Sequence, residues 1–138
     1  MKLLTYLRDG NASCGALTDR GVVDVPSSWK SADPPKSVKE ILDRGPAGLE
    51  QVRRLAESAK QATPLDSIQV LAPIPRPGKI LALAGNYSEH IKEASVHHGY
   101  KLGLSESPRQ TTVPRPFLMP STCVAGPGRT VPWPAYSE

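Results

Sequence analysis

Fifteen prolines partition this chain of 138 residues. Each fixes its own φ, lacks a backbone N–H and pushes the residue before it toward extended geometry, so no helix or strand runs through a cluster of them. The clusters fall at 26–35, 73–77, 108–120 and 127–134. Proline at about twice its average usage of about 5% would signal disorder if it were spread evenly. Here segments of ordinary composition lie between the clusters. The pattern predicts punctuated globular structure, about one to one and a half domains, long enough to bury a core.

Before the 73–77 cluster the pattern is that of a small α+β unit. Lys2–Arg8 and Ala12–Thr18 read as strands joined by the turn Asp9-Gly10-Asn11. Asp19-Arg20-Gly21 turns the chain again into a short strand, Val22–Val25. Short apolar runs separated by turn residues make a β-meander. Pro26–Pro35 reads as a loop. Ser37 and Glu40 fit a capping box, and Val38, Ile41 and Leu42 supply one apolar face behind it. Gly45 ends that helix, and Pro46 suits the first turn of the next. There Leu49, Val52, Leu55, Ala56 and Ala59 recur at helical spacing, against an opposite face of Glu50, Arg53, Arg54, Glu57 and Lys60. Thr63-Pro64 stops this helix, and Ile68–Leu71 reads as a further strand.

From Pro73 the pattern changes. Ile80–Ala84 is a continuously apolar strand, which implies burial on both faces. Gly85-Asn86 turns it, and Tyr87 to about Ala94 reads as a short helix. Ser95–Pro114 is polar and without periodicity; a stretch of that kind is a functional lid or is disordered. Phe117-Leu118-Met119 is a brief strand, and Gly126-Pro127-Gly128 a turn.

Composition excludes more than it assigns. The net charge is +4, but Lys and Arg are scattered and aromatic residues make up only 5% of the chain. A nucleic-acid binder shows a basic stripe or interleaved aromatics, so a solvated basic surface is the favoured account. The two cysteines, Cys14 and Cys123, form no metal-spaced or redox motif, and free thiols in a reducing compartment are expected. No apolar run is long enough to span a membrane as a helix. A soluble, cytoplasmic protein without membrane partners is the simplest expectation.

His90 and Glu93 are the first candidates for chemistry. At a spacing of three on a helix they share a face, and a carboxylate beside an imidazole orients it and raises its basicity. From spacing alone, a surface ion pair is the favoured account. Asn86 and Tyr87 stand at the end of the apolar strand, where polar groups commonly face a site; turn chemistry is the alternative. His97 and His98 are adjacent and point apart on a helix, so chelation of one ion is disfavoured. Gly126-Pro127-Gly128 lacks the Lys-Ser/Thr and helix of a phosphate loop.

Taken in order, these pieces resemble the fumarylacetoacetate hydrolase family. Ala72-Pro-Ile-Pro-Arg-Pro-Gly-Lys-Ile80, then Gly85-Asn-Tyr-Ser-Glu-His90, then Glu93, resembles the opening of its catalytic domain. Pro116-Phe-Leu-Met-Pro-Ser-Thr122, Gly126-Pro-Gly128 and Pro132-Trp-Pro-Ala-Tyr136 resemble the next stretch in the same order. The meander and helices resemble the small N-terminal domain of many bacterial members. The resemblance implies an α+β fold: an N-terminal domain, 1–72, of β-meander plus two helices, then the incomplete start, 73–138, of a mixed β-rich catalytic domain. It implies metal-dependent hydrolysis, decarboxylation or isomerisation of small oxo-acids such as acylpyruvates. His90 and Glu93 would be the catalytic dyad, Asn86 and Tyr87 would meet substrate, and 95–114 would close as a lid. Complete members use Mg²⁺ or Mn²⁺, with Ca²⁺ as a further option, and a homodimer is implied for them.

Two departures from the family pattern matter. The family's metal ligands, a Glu-x-Glu pair and a later acidic residue, come after the region resembling Tyr136, and Glu138 lies too early to match. The expectation is a chain truncated before its metal-ligand motif, with no metal or other cofactor bound and no turnover alone. The family also usually carries a Lys where Met119 stands, and Met provides no charge for a carboxylate or an enolate. The alternative is a non-catalytic binding or regulatory module built on the N-terminal unit.

Overall fold

The computed structural model describes residues 1–84, 87, 89, 115–133 and 135. The chain divides into two compact units, Met1–Arg76 together with Val124–Glu138, and Pro77–Cys123.

The first unit is α+β. Strands β1 (Lys2–Arg8), β2 (Asn11–Thr18), β3 (Gly21–Asp24) and β4 (Val70–Leu71) form one antiparallel sheet in the order β3-β2-β1-β4. β1 and β2 pair without a break from Lys2↔Leu17 to Arg8↔Asn11. Asp9 and Gly10 between them both take positive φ, 50° and 78°. That is the left-handed pair a two-residue hairpin needs to match the twist of its strands.

The short helix α1 (Val25–Ser28) stands where the sequence reads as a loop. Asp24 caps it through Ser27 N, and Pro26 sits in its first turn, where the absent N–H costs nothing. Helix α2 (Val38–Asp43) starts as expected at Ser37, whose Oγ accepts from Glu40 N at 3.1 Å. Glu40 reaches one residue further back than an ordinary capping box and accepts from Lys36 N at 2.8 Å. α2 buries Val38 and Ile41 but leaves Leu42 46% exposed, so its apolar face is narrower than the sequence suggests. Gly45, at φ 63°, pivots the chain into α3 (Gly45–Ser58).

The three helices cover one face of the sheet. Cys14 and Ala16 of β2 meet Val25, Trp29, Val38, Ile41, Val52 and Ala56 in the main core. Each fully buried Val or Ile contributes about 1.5–3 kcal/mol relative to exposure. A smaller cluster of Leu4, Tyr6 and Val22, with Leu17 and Ile68, lies apart from it.

The second unit contains β5 (Ile80–Leu83) and β6 (Pro116–Met119), an antiparallel pair running from Ile80↔Met119 to Leu83↔Pro116. The expectation that β5 is buried on both faces is not met. Leu81 is 69% exposed and its partner Leu118 68%. Among the described residues each of these strands has the other as its only pairing, so burial alternates along β5 instead of being continuous.

Candidate functional site

The strand expected to deliver chemistry, Ile80–Ala84, is present as β5 over Ile80–Leu83, without the burial on both faces that its sequence suggests. β5 is extended beyond Leu83 by Ala84 N donating to Arg115 O at 3.0 Å. Tyr87 follows shortly after, with its side chain 54% exposed. Asn86, His90 and Glu93 lie outside the described residues, as do the stretch 95–114 and His97-His98. Met119, at the position where a Lys is usual in the family it resembles, is on β6 opposite Ile80 and partly exposed.

The described residues do hold one tuned polar constellation, which sequence reasoning missed. Asp24 accepts four hydrogen bonds. Its Oδ1 takes Tyr6 Oη at 2.6 Å and Ser13 Oγ at 2.8 Å. Its Oδ2 takes Arg8 Nη1 at 2.6 Å and the backbone N of Ser27 at 2.9 Å. The signal available in the sequence was the alternation of Tyr6 and Arg8 on β1 with Ser13 on β2 and Asp24 on β3. Register places all four on the same face of three adjacent strands. Burial alone pushes the Asp24 carboxyl up, but the hydrogen bonds from Ser27, Tyr6 and Ser13 outweigh it and hold the pKa below its ordinary value. The Tyr6 phenol moves the other way. Burial first, then the hydrogen bond to Asp24 and its charge, raise it well above the usual tyrosine range.

These shifts describe a structural hub. A carboxylate that already accepts four donors is a poor base, a phenol held protonated is no nucleophile, and among the described residues Ser13 has the carboxylate but no imidazole beside it. Cys14 is equally quiet. It is fully buried, its thiol is pushed up to about 12 by burial and then by the charges of Asp24 and Glu40, and its Sγ donates to Pro35 O at 3.5 Å.

Among the described residues no three of His, Cys, Asp or Glu group so as to hold a metal ion. Asp33 pairs with Arg44, and Glu50 with Arg53 and Arg54. That donor set does not fit a hard divalent cation, which needs several oxygens on one centre. Among the described residues no helix is long and apolar enough to cross a membrane.

Comparison with known proteins gives the chain its relatives. It is 36% identical over 62 residues to "Oxaloacetate tautomerase FAHD2A, mitochondrial" of Bos taurus, covering 45% of this chain and 20% of that protein. It is 33% identical over 78 residues to "Oxaloacetate tautomerase Fahd2a, mitochondrial" of Rattus norvegicus, covering 55% of this chain and 24% of the relative. It is 34% identical over 62 residues to "Fumarylacetoacetate hydrolase domain-containing protein 2" of Pongo abelii, covering 45% of this chain and 20% of the relative. The chain thus matches only about a fifth to a quarter of the length of these relatives. No family model matches it. The similarities support a place in the fumarylacetoacetate hydrolase family.

Proposed function

We propose that this protein belongs to the chemistry of small oxo-acids, and that keto–enol tautomerisation is its reaction type. The observation that carries the proposal is the similarity to curated oxaloacetate tautomerases. Tautomerisation moves a proton between a carbon and the oxygen of the neighbouring carbonyl. A base with a pKa near neutrality suits that work, and an imidazole held by a carboxylate is such a base. On this reading His90 and Glu93 move the proton, Asn86 and Tyr87 contact the substrate, and residues 73–138 are the start of the catalytic domain. The pairing of Ala84 with Arg115 supports it, because it fixes the strand end from which Tyr87 follows. The partners would be a small oxo-acid and a second copy of the chain. Acylpyruvate cleavage is the related reaction for which the same residues would serve.

A bound Mg²⁺ or Mn²⁺ would stabilise enolate charge in a complete domain. The 138 residues contain no Glu-x-Glu sequence, so no step is assigned to a metal held by them. The polypeptide alone is expected to take up no Mg²⁺ or Mn²⁺ at micromolar levels in calorimetry. Stoichiometric uptake that disappears with His90→Ala or Glu93→Gln would contradict this.

The direct test is a chimaera in which residues 73–138 replace their counterpart in the Bos taurus tautomerase. Oxaloacetate tautomerisation should persist and fall by about a hundredfold or more on His90→Ala, the scale of a lost general base. A folded chimaera without activity, or one indifferent to His90→Ala, would refute the proposal.

A further inference from the structure

The outer edge of the four-stranded sheet is β4, only two residues long. Its pairing with β1 fixes which backbone groups face outward. Leu7 N donates to Gln69 O at 2.9 Å, and Thr5 stands opposite Leu71. In an antiparallel ladder the intervening residues turn their N–H and C=O the other way. Val70 and Ala72 therefore present theirs to the open side, where a strand from another molecule could add.

The chain itself meets that edge. A Cβ placed on Gly126 would lie 3.1 Å from Ala72 N and 3.3 Å from Leu71 Cα, tighter than ordinary contact and against backbone that cannot rotate away. Ala72 is only 7% exposed. Arg129 N donates to Gly126 O at 3.3 Å, closing a turn in which Gly128 takes φ 70°. Gly126 thus serves close approach and Gly128 the turn that follows it. The opposite edge of the sheet is treated in a similar way. Val22 and Thr63 exchange both backbone hydrogen bonds at 2.8 Å, an isolated bridge, and among the described residues no strand pairs beyond β3.

We propose that Val124–Gly126 is an edge guard. It lies where a fifth strand would add beside β4 and prevents the N-terminal sheet from pairing with a second copy of the chain. The glycine is what lets it sit close enough to exclude another backbone.

The test uses the full chain with Gly126→Val, and with Gly78→Ala as a control, since a Cβ on Gly78 meets nothing within 4 Å. Amide exchange at Val70 and Ala72 should quicken by about tenfold or more in Gly126→Val, while amides paired between β1 and β2 keep their protection. Sedimentation should show self-association that grows with concentration, and the control should match the parent protein. If Gly126→Val fails to fold by circular dichroism, Gly126→Ala provides the same readouts with a smaller intrusion. Unchanged exchange at Val70 and Ala72 in a folded variant would overturn the proposal. So would faster exchange in a variant that stays monomeric at every concentration.

Discussion

Replacing Asp24 by Ala tests whether a single carboxylate organises the N-terminal unit. The loss has separable parts. Removing the cap of α1 costs about 1 kcal/mol. The Tyr6 hydroxyl, on a residue only 4% exposed, is left without its acceptor at about 1–3 kcal/mol, and half-buried Ser13 at the low end of that range. The Arg8 pair adds less than about 1 kcal/mol, because the arginine side chain is half exposed and screened. The sum is about 3–6 kcal/mol, a large share of the 5–15 kcal/mol typical of a domain. Urea unfolding followed by fluorescence of the buried Trp29 reads it. With a slope of about 2 kcal/mol per molar, the midpoint should fall by about 2 M. Asp24→Asn, which keeps one acceptor oxygen, should lose less. The pH dependence follows from the sign of the shift. The folded pKa of Asp24 is depressed, so its contribution is present above the unfolded value of about 3.9 and fades as pH falls through the folded one. The difference between parent and Asp24→Asn should therefore shrink under acid. A midpoint change below about 0.5 M for Asp24→Ala, or a gap to Asp24→Asn that persists unchanged in strong acid, would refute the reasoning.

Three further outcomes follow from burial. Gly48→Ala should destabilise in the same urea assay although Ala is the better helix former by about 1 kcal/mol, because the new Cβ would meet Arg44 Cβ at 2.6 Å and Ile41 O at 2.8 Å. In native protein a thiol reagent should modify exposed Cys123 and reach Cys14 only on unfolding. Because Cys14 and Tyr6 stay protonated in the fold at pH values where the unfolded chain has begun to ionise, stability should fall as pH rises above about 9, and Cys14→Ala should remove part of that slope.

Periodicity and turn chemistry carried the meander of the first three strands and the two longer helices of the N-terminal unit. β1 has the bounds its alternation suggests, and Ser37 caps α2 as its spacing to Glu40 suggests. What pattern could not supply was set by three-dimensional contact. Gly48 is a buried position of α3 that no hydrophobic count finds, since its contribution is the absence of a side chain. α1 was hidden because Asp24-Val25-Pro26-Ser27 suits either a turn or a capped first turn, and only the packing of Val25 into the core distinguishes them. The exposure of β5 depends on its neighbours, which an apolar run does not name. Of the candidate site, Tyr87 and the strand before it are described, whereas the pairing of His90 with Glu93 depends on side-chain geometry that spacing alone does not provide.

The strand order β3-β2-β1-β4 also imposes a schedule on synthesis. The hairpin of β1 and β2 is closed by a tight local turn, and β3 adds to it directly, so a three-stranded meander can assemble while the rest of the chain is still in the ribosome. Its first strand, however, is an interior strand of the finished sheet, and the neighbour it needs is supplied only at Val70-Leu71. Until then β1 has an open flank, and the closing contact is non-local and correspondingly slow. A pause in translation before Val70-Leu71 has emerged from the ribosome would prolong that interval, and a pause after its emergence would not.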